Sequence, residues 1–223
     1  MSRRAIFFDM DGVIVDSEPE WQAAEIDVFA TVGVHLTVTD CLKTQGMRID
    51  EAVQFWFEAT PWTGPSTSEI VEAIVARMEE RLRESAVAKE GALESMRAAR
   101  QCSDILAIVS SSPKRLIQSV IERLELEALV DFFVSGQDVP RSKPDPSIYT
   151  LAAERAAIAS EHVWVVEDSV PGVLAATAAG MRCVALPEAK RADAPEFLCA
   201  DLRIDSLLEL DEARWRALLG RGH

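Results

Sequence analysis

Asp9-Met10-Asp11-Gly12 sets two carboxylates two residues apart, directly after the apolar run Ala5-Ile6-Phe7-Phe8. Residues two apart in an extended segment point to the same side, so both acids can face one crevice. Carboxylates held that way can serve as nucleophile, as general acid or base, or as ligands for a hard cation. Alone, an acidic pair before a glycine is more often a solvated turn. Three further clusters share its position at the end of an apolar run. Ser110-Ser111-Ser112 follows Ile105–Val109 and offers hydroxyls and helix-start amides. Lys143, in Ser142-Lys143-Pro144-Asp145, brings one cation just before a helix start, and Glu167-Asp168-Ser169 follows Val163–Val166. Each of them singly reads as caps and turn residues. Together, in the order acid pair, hydroxyl, lysine, acid pair, they point to one site at the carboxyl ends of strands.

The elements that must position them follow from the apolar pattern. Short runs recur at Ala5–Phe8, Ile105–Val109, Phe132–Val134, Val163–Val166, Cys183–Leu186 and Leu202–Ile204, with stretches of helical period between most of them. Uninterrupted apolar strands alternating with helices predict a parallel sheet covered on both faces. Ser112-Pro113 and Asp145-Pro146 read as N-cap and first helical residue, and Gly180 as a helix stop. Residues from about 17 to 85 break the rhythm. Trp21, Ala24, Val28 and Val32 repeat at helical spacing, Pro61-Trp62-Thr63-Gly64-Pro65 forms a break, and Ser66-Thr67-Ser68-Glu69 resembles a capping box. The expected fold is α/β: a Rossmann-like, three-layer parallel-sheet core of residues 1–15 and 88–223, with a small all-helical cap at residues 16–87.

Composition bounds the partners. The 23 Lys and Arg against 37 Asp and Glu give a formal net charge of −14. The basic clusters Lys114-Arg115 and Lys190-Arg191 are too short to form a stripe that would attract nucleic acid against that field. No apolar run approaches the roughly 18 residues needed to cross a bilayer. Cys41, Cys102, Cys183 and Cys199 are widely spaced and read as free thiols of a cytoplasmic protein. His35, His162 and His223 fit no ligand pattern. A monomer suffices for the chemistry described next.

Asp-Met-Asp-Gly-Val-Ile-Val-Asp-Ser, Ser110, the Lys143 of Ser-Lys-Pro-Asp-Pro, and Glu167-Asp168 together resemble the four motifs of the haloacid dehalogenase-like superfamily, over nearly the whole chain. The helical insert is similar to the cap of the branch holding β-phosphoglucomutase and many sugar phosphatases. The resemblance implies phosphoryl transfer through an aspartyl-phosphate on Asp9, with Asp11 as acid and base. Mg²⁺ would be held by the Asp9 carboxylate, the Asp11 carbonyl and Asp168, with Glu167 supporting or sharing that role. Ser110, the amide of Ser111 and Lys143 would bind the phosphoryl oxygens. A second Asp in the first motif disfavours dehalogenation.

Within that branch the mutase has a His in the hinge where this chain has Trp21. The segments Ser17–Trp21, Gly46–Asp50 and Pro61–Ser66 are more similar to bacterial phosphatases of 2-deoxyglucose 6-phosphate and hexitol phosphates. The expected activity is Mg²⁺-dependent hydrolysis of a small sugar phosphate, with Arg48, Trp21 and Lys114 as candidate specificity residues. A phosphoryl-transferring isomerase and a non-catalytic binding protein of the same fold remain as alternatives. Trp56 and Trp62 read as cap core.

Overall fold

The computed structural model describes residues 3–188 and 192–220; Lys190, Arg191 and His223 lie outside them. Strand β1 (Ala5–Phe8) is wholly buried. Its alternation sends Ile6 and Phe8 into one apolar cluster and Ala5 and Phe7 into another, so polar positions have no place in it. The helices α1 (Glu18–Ala30), α2 (Val38–Cys41), α3 (Ile49–Ala59) and α4 (Thr67–Ser85) follow as an insert. The chain leaves and re-enters the sheet layer through neighbouring segments: Val15 bridges Ala88 in antiparallel fashion, and the Lys89 N–H donates to the Ile14 carbonyl at 2.8 Å.

From there α5 (Ala92–Cys102), β2 (Ile105–Ser110), α6 (Lys114–Arg123), β3 (Phe132–Ser135), α7 (Ser147–Ala156), β4 (Val163–Glu167), α8 (Val170–Ala178), β5 (Arg182–Ala185), β6 (Leu202–Arg203) and α9 (Glu212–Gly220) complete the chain. The six strands among the described residues are all parallel, in the order β3-β2-β1-β4-β5-β6. This is the Rossmann-like, three-layer arrangement expected. Helices α5, α6 and α9 cover the Ile6 and Phe8 face, where Trp215 meets Phe8 edge-on at 6.1 Å. Helices α7 and α8 cover the opposite face. The chain builds outward from β1 on one side, then crosses to β4 on the other. That reversal opens a crevice beyond the carboxyl ends of β1 and β4.

Local signals behave as their chemistry demands, with one correction. Ser66 and Glu69 form the capping box: the Ser66 N–H donates to Glu69 Oε2 at 2.8 Å, and the Ser66 hydroxyl accepts from the Glu69 N–H at 3.3 Å. Gly180 takes φ +74° after α8, a left-handed conformation that suits glycine. Pro113 and Pro146, however, stand one residue before their helices and not as first helical residues. The Ser112 hydroxyl does not cap α6; it donates instead to Asp11 Oδ2 at 2.7 Å, because a carboxylate is the stronger acceptor. Among the described residues no helix is long and apolar enough to cross a membrane.

Ser66→Ala removes the hydroxyl that accepts from the Glu69 N–H at the start of the longest insert helix and leaves the backbone arm of the box in place. The expected loss is about 1 kcal/mol of unfolding free energy, measured by urea denaturation with an unchanged m-value.

Candidate active site

Register explains why the acidic residues meet. Phe8 pairs with Val166 across β1 and β4, so the next residues, Asp9 and Glu167, emerge side by side, and the Asp9 N–H donates to the Val166 carbonyl at 3.0 Å. Phe8 also pairs with Ile108, which sets Ser110 at the neighbouring strand end. Lys143 arrives from the loop before α7. Its Nζ donates to Asp9 Oδ1 at 2.7 Å and Glu167 Oε1 at 2.6 Å, and all three residues are buried. Glu167 is further fixed by the Tyr149 hydroxyl at 2.6 Å and the Ser169 hydroxyl at 3.0 Å. Gly172 makes room for it, because a Cβ there would lie 1.9 Å from the Glu167 carboxylate.

Charge is unbalanced in this cluster. Burial pushes the Asp9 carboxyl well above the usual carboxylate range; Lys143 pulls it down, while Glu167 and Asp11 push it up further. Burial, then Glu167 and Asp9, raise Asp168 in the same way. Burial works against the Lys143 ammonium, yet Asp9 and Glu167 overcome it and hold the group above its usual range. Oxygens of Asp9, Glu167 and Asp168 lie within 4.8 Å of one another. Gly12, at φ +79°, leaves the space that Asp168 fills: a Cβ there would be 1.9 Å from Asp168 Oδ2. An all-oxygen set with excess negative charge fits a hard divalent cation.

Asp11 faces the insert. Its Oδ1 accepts from the Ser17 hydroxyl at 2.5 Å and the Trp21 indole N–H at 3.1 Å. Its Oδ2 accepts from the Ser112 hydroxyl at 2.7 Å and the Ser110 hydroxyl at 3.2 Å. Asp9, Asp11, Ser110, Ser111, Lys143, Asp168 and Trp21 all line one cavity. Glu167 lies behind it, bonded to Lys143.

Arg48 and Lys114 are not in the cavity wall. The Arg48 guanidinium pairs with Asp50 at 2.5 Å and donates to the Gly136 and Val139 carbonyls, which ties α3 to the loop after β3. Lys114 is exposed and pairs with Asp138 at 2.5 Å. Trp56 and Trp62 are buried in the insert.

A family model described as haloacid dehalogenase-like hydrolase matches residues 6–186. The chain belongs to that family. Hexitol phosphatase B of Escherichia coli strain K12 is 35% identical over 92% of this chain and 93% of its own. A phosphorylated carbohydrates phosphatase of Thermotoga maritima is 33% identical over 79% of this chain and 82% of its own. Among solved structures, CbbY from Rhodobacter sphaeroides in complex with phosphate superposes with a TM-score of 0.85, at 23% identity, covering 93% of this chain and 96% of its own; that likeness concerns the fold.

Sequence reasoning gave no site role to Ser17, Tyr149, Glu25 or Gln45, of which Ser17, Glu25 and Gln45 line the cavity and Tyr149 bonds Glu167. Tyr149 had no motif to mark it. Glu25 had one signal: it lies four residues after Trp21, on the same helix face, where the neighbours Ala24, Val28 and Phe29 are buried. Its carboxyl is pushed up to about 7, first by burial, with the Cys41 thiol opposing and Glu18 adding.

Between the unperturbed value of 4.5 and about 7 the unfolded chain releases this proton while the folded chain keeps it. Stability from Glu25 is therefore complete below 4.5 and declines as pH rises through that window. Glu25→Gln removes the decline. The variant should match the parent near about pH 4 and exceed it by up to roughly 3 kcal/mol near about pH 8, in urea titrations. A pH-independent difference would contradict the raised value.

Proposed function

We propose that this hydrolase cleaves small sugar phosphates, hexose or hexitol monoesters, through an aspartyl-phosphate on Asp9 and with Mg²⁺ as its metal. The observation that carries the reading is the buried Lys143 between Asp9 and Glu167, with Asp168 beside them, at the end of one cavity. The names of the two phosphatase relatives support the substrate class.

Asp9 is the nucleophile: one carboxylate oxygen forms the bond to phosphorus as the bond to the sugar oxygen breaks. Lys143, the Ser110 hydroxyl and the Ser111 N–H hold the phosphoryl oxygens, and Glu167 orients Lys143 for that task. Asp11 gives its proton to the leaving sugar oxygen and then takes one from the water that cleaves the aspartyl-phosphate. The Asp9 carboxylate, the Asp11 carbonyl and Asp168 would hold Mg²⁺, whose charge offsets the repulsion between a carboxylate and a phosphate dianion. Residues 16–87 act as a cap on a core of residues 1–15 and 88–223, and exclude bulk water from the intermediate.

Hydrolysis is favoured over the mutase reading because Lys143 is the one cation in the cavity wall among the described residues. Arg48 is already engaged by Asp50 and two carbonyls, so among the described residues no second cation is left to grip a second phosphate.

In ³¹P NMR time courses with Mg²⁺, 2-deoxyglucose 6-phosphate, sorbitol 6-phosphate and mannitol 1-phosphate should release inorganic phosphate. Conversion of β-glucose 1-phosphate to glucose 6-phosphate with little free phosphate would establish the mutase instead. Asp9→Asn should lower turnover by at least about a thousandfold with an unchanged far-UV circular dichroism spectrum. Full activity in that variant would refute the covalent route.

Metal binding has its own readout in the absence of substrate. Mg²⁺ at about a hundred times its Kd should stabilise the parent by about 2–3 kcal/mol in thermal melts, and Asp168→Ala should lose that response. An equal response in both would remove Asp168 from the metal site.

A further inference from the structure

We propose that Glu25 and Gln45 read the hydroxyl groups of an uncharged polyol tail, and so select a polyhydroxy monophosphate over both a bisphosphate and an apolar ester. This rests on the phosphatase reading above and adds the part of the site that chooses the substrate.

The cavity that Asp9 and Lys143 close at one end is lined on its insert side by Glu18, Gln22 and Glu25 of α1 and by Gln45 from the loop after α2. Glu25 is 8% exposed, yet its Oε2 has no hydrogen-bond partner among the described residues, and neither has the buried Oε1 of Gln45. The orientation of Gln45 is not arbitrary. Its side chain bonds Glu18, which as a carboxylate takes the amide N–H and leaves the amide oxygen over. Gln22 donates to the same Glu18 at 2.9 Å, so Glu18 is supplied with two amide donors, while Glu25 has the Cys41 thiol alone and its Oε2 is left over.

Two buried acceptors without donors define what must come to them. A sugar hydroxyl is a neutral donor and satisfies either oxygen. A phosphate dianion has no proton to give and would meet Glu18 and Glu25 with no cation opposite among the described residues. An apolar tail would leave both oxygens unpaired, which is the situation in which hydrogen-bonding sites discriminate most strongly. Ile49 and Ala52 of α3 line the same cavity and offer apolar contact to the carbon chain of a polyol.

The test compares sorbitol 6-phosphate with p-nitrophenyl phosphate, which carries the phosphate without hydroxyls. In Glu25→Leu and Gln45→Leu the ratio of kcat/KM for the first over the second should fall at least about tenfold, and Glu25→Gln, which keeps an acceptor oxygen, should retain more of it. The parent should also prefer sorbitol 6-phosphate to fructose 1,6-bisphosphate by at least about tenfold. An unchanged ratio in both leucine variants, or equal use of the bisphosphate, would overturn the inference while leaving the phosphatase reading intact. Calorimetry in the Asp9→Asn background separates the two ideas. If adding Glu25→Leu weakens sorbitol 6-phosphate binding tenfold while the parent hydrolyses no ester, the hydroxyl-reading wall stands and the hydrolytic reading falls. Binding that ignores Glu25 overturns the wall.

Discussion

A single ammonium group holds the centre of this molecule together. Lys143 is buried at the carboxyl ends of the central strands, bonded to Asp9 and Glu167, with its charge 5.1 Å from the Tyr149 ring centre. Interior carboxylates are tolerated only when paired and hydrogen-bonded, and here one cation serves two of them. Much of the surrounding sequence follows from that requirement. Tyr149 and Ser169 satisfy the remaining lone pairs of Glu167, and Gly172 leaves room for its carboxylate. The β1 and β4 register brings the two acids level. Removing Lys143 would leave two buried carboxyl groups without their shared partner, which destabilises the fold as well as disabling the proposed chemistry.

What was legible in the sequence shares one property: it depends on strand ends. Apolar runs located the strands, strand ends located Asp9, Ser110 and Glu167, and a parallel sheet with a switch beside β1 brings such ends together without further information. The same logic could not reach side chains whose partners come from distant segments. Arg48 looked like a substrate ligand from its place after Gly46. Its guanidinium is instead matched by Asp50 two residues on and by carbonyls from the loop after β3, a pairing that tertiary structure alone creates. Lys114 was drawn to Asp138 in the same way. Ser112 was read as a cap because its local sequence suits one, but a nearby carboxylate won the hydroxyl.

Glu25 marks the opposite failure. A helix stripe of Ala24, Val28 and Phe29 is a packing signal, and an acid within it is easily passed over as a neighbour of the stripe. Its burial conflicts with its type. Such conflicts concentrate at sites where a ligand, absent from the free protein, completes the bonding.

The insert is joined to the core at the point where its position matters most to the proposed acid and base. Asp11 takes two hydrogen bonds from the insert side, through Ser17 and Trp21, and two from the β2 end, through Ser110 and Ser112. The Lys89 ammonium, on the returning segment, donates to the Gly12 carbonyl at 2.5 Å, so both connections of the insert touch the loop that carries Asp9 and Asp11. A shift of α1 away from the sheet has to break the Ser17 and Trp21 bonds while the serines of the β2 end keep theirs. The carboxylate would then lose half of its donors and become free to rotate. An indole N–H in this position differs from an imidazole in one chemical respect: it donates but does not act as an acid or a base at neutral pH. Trp21 therefore ties the orientation of Asp11 to the placement of the insert without entering any proton transfer itself.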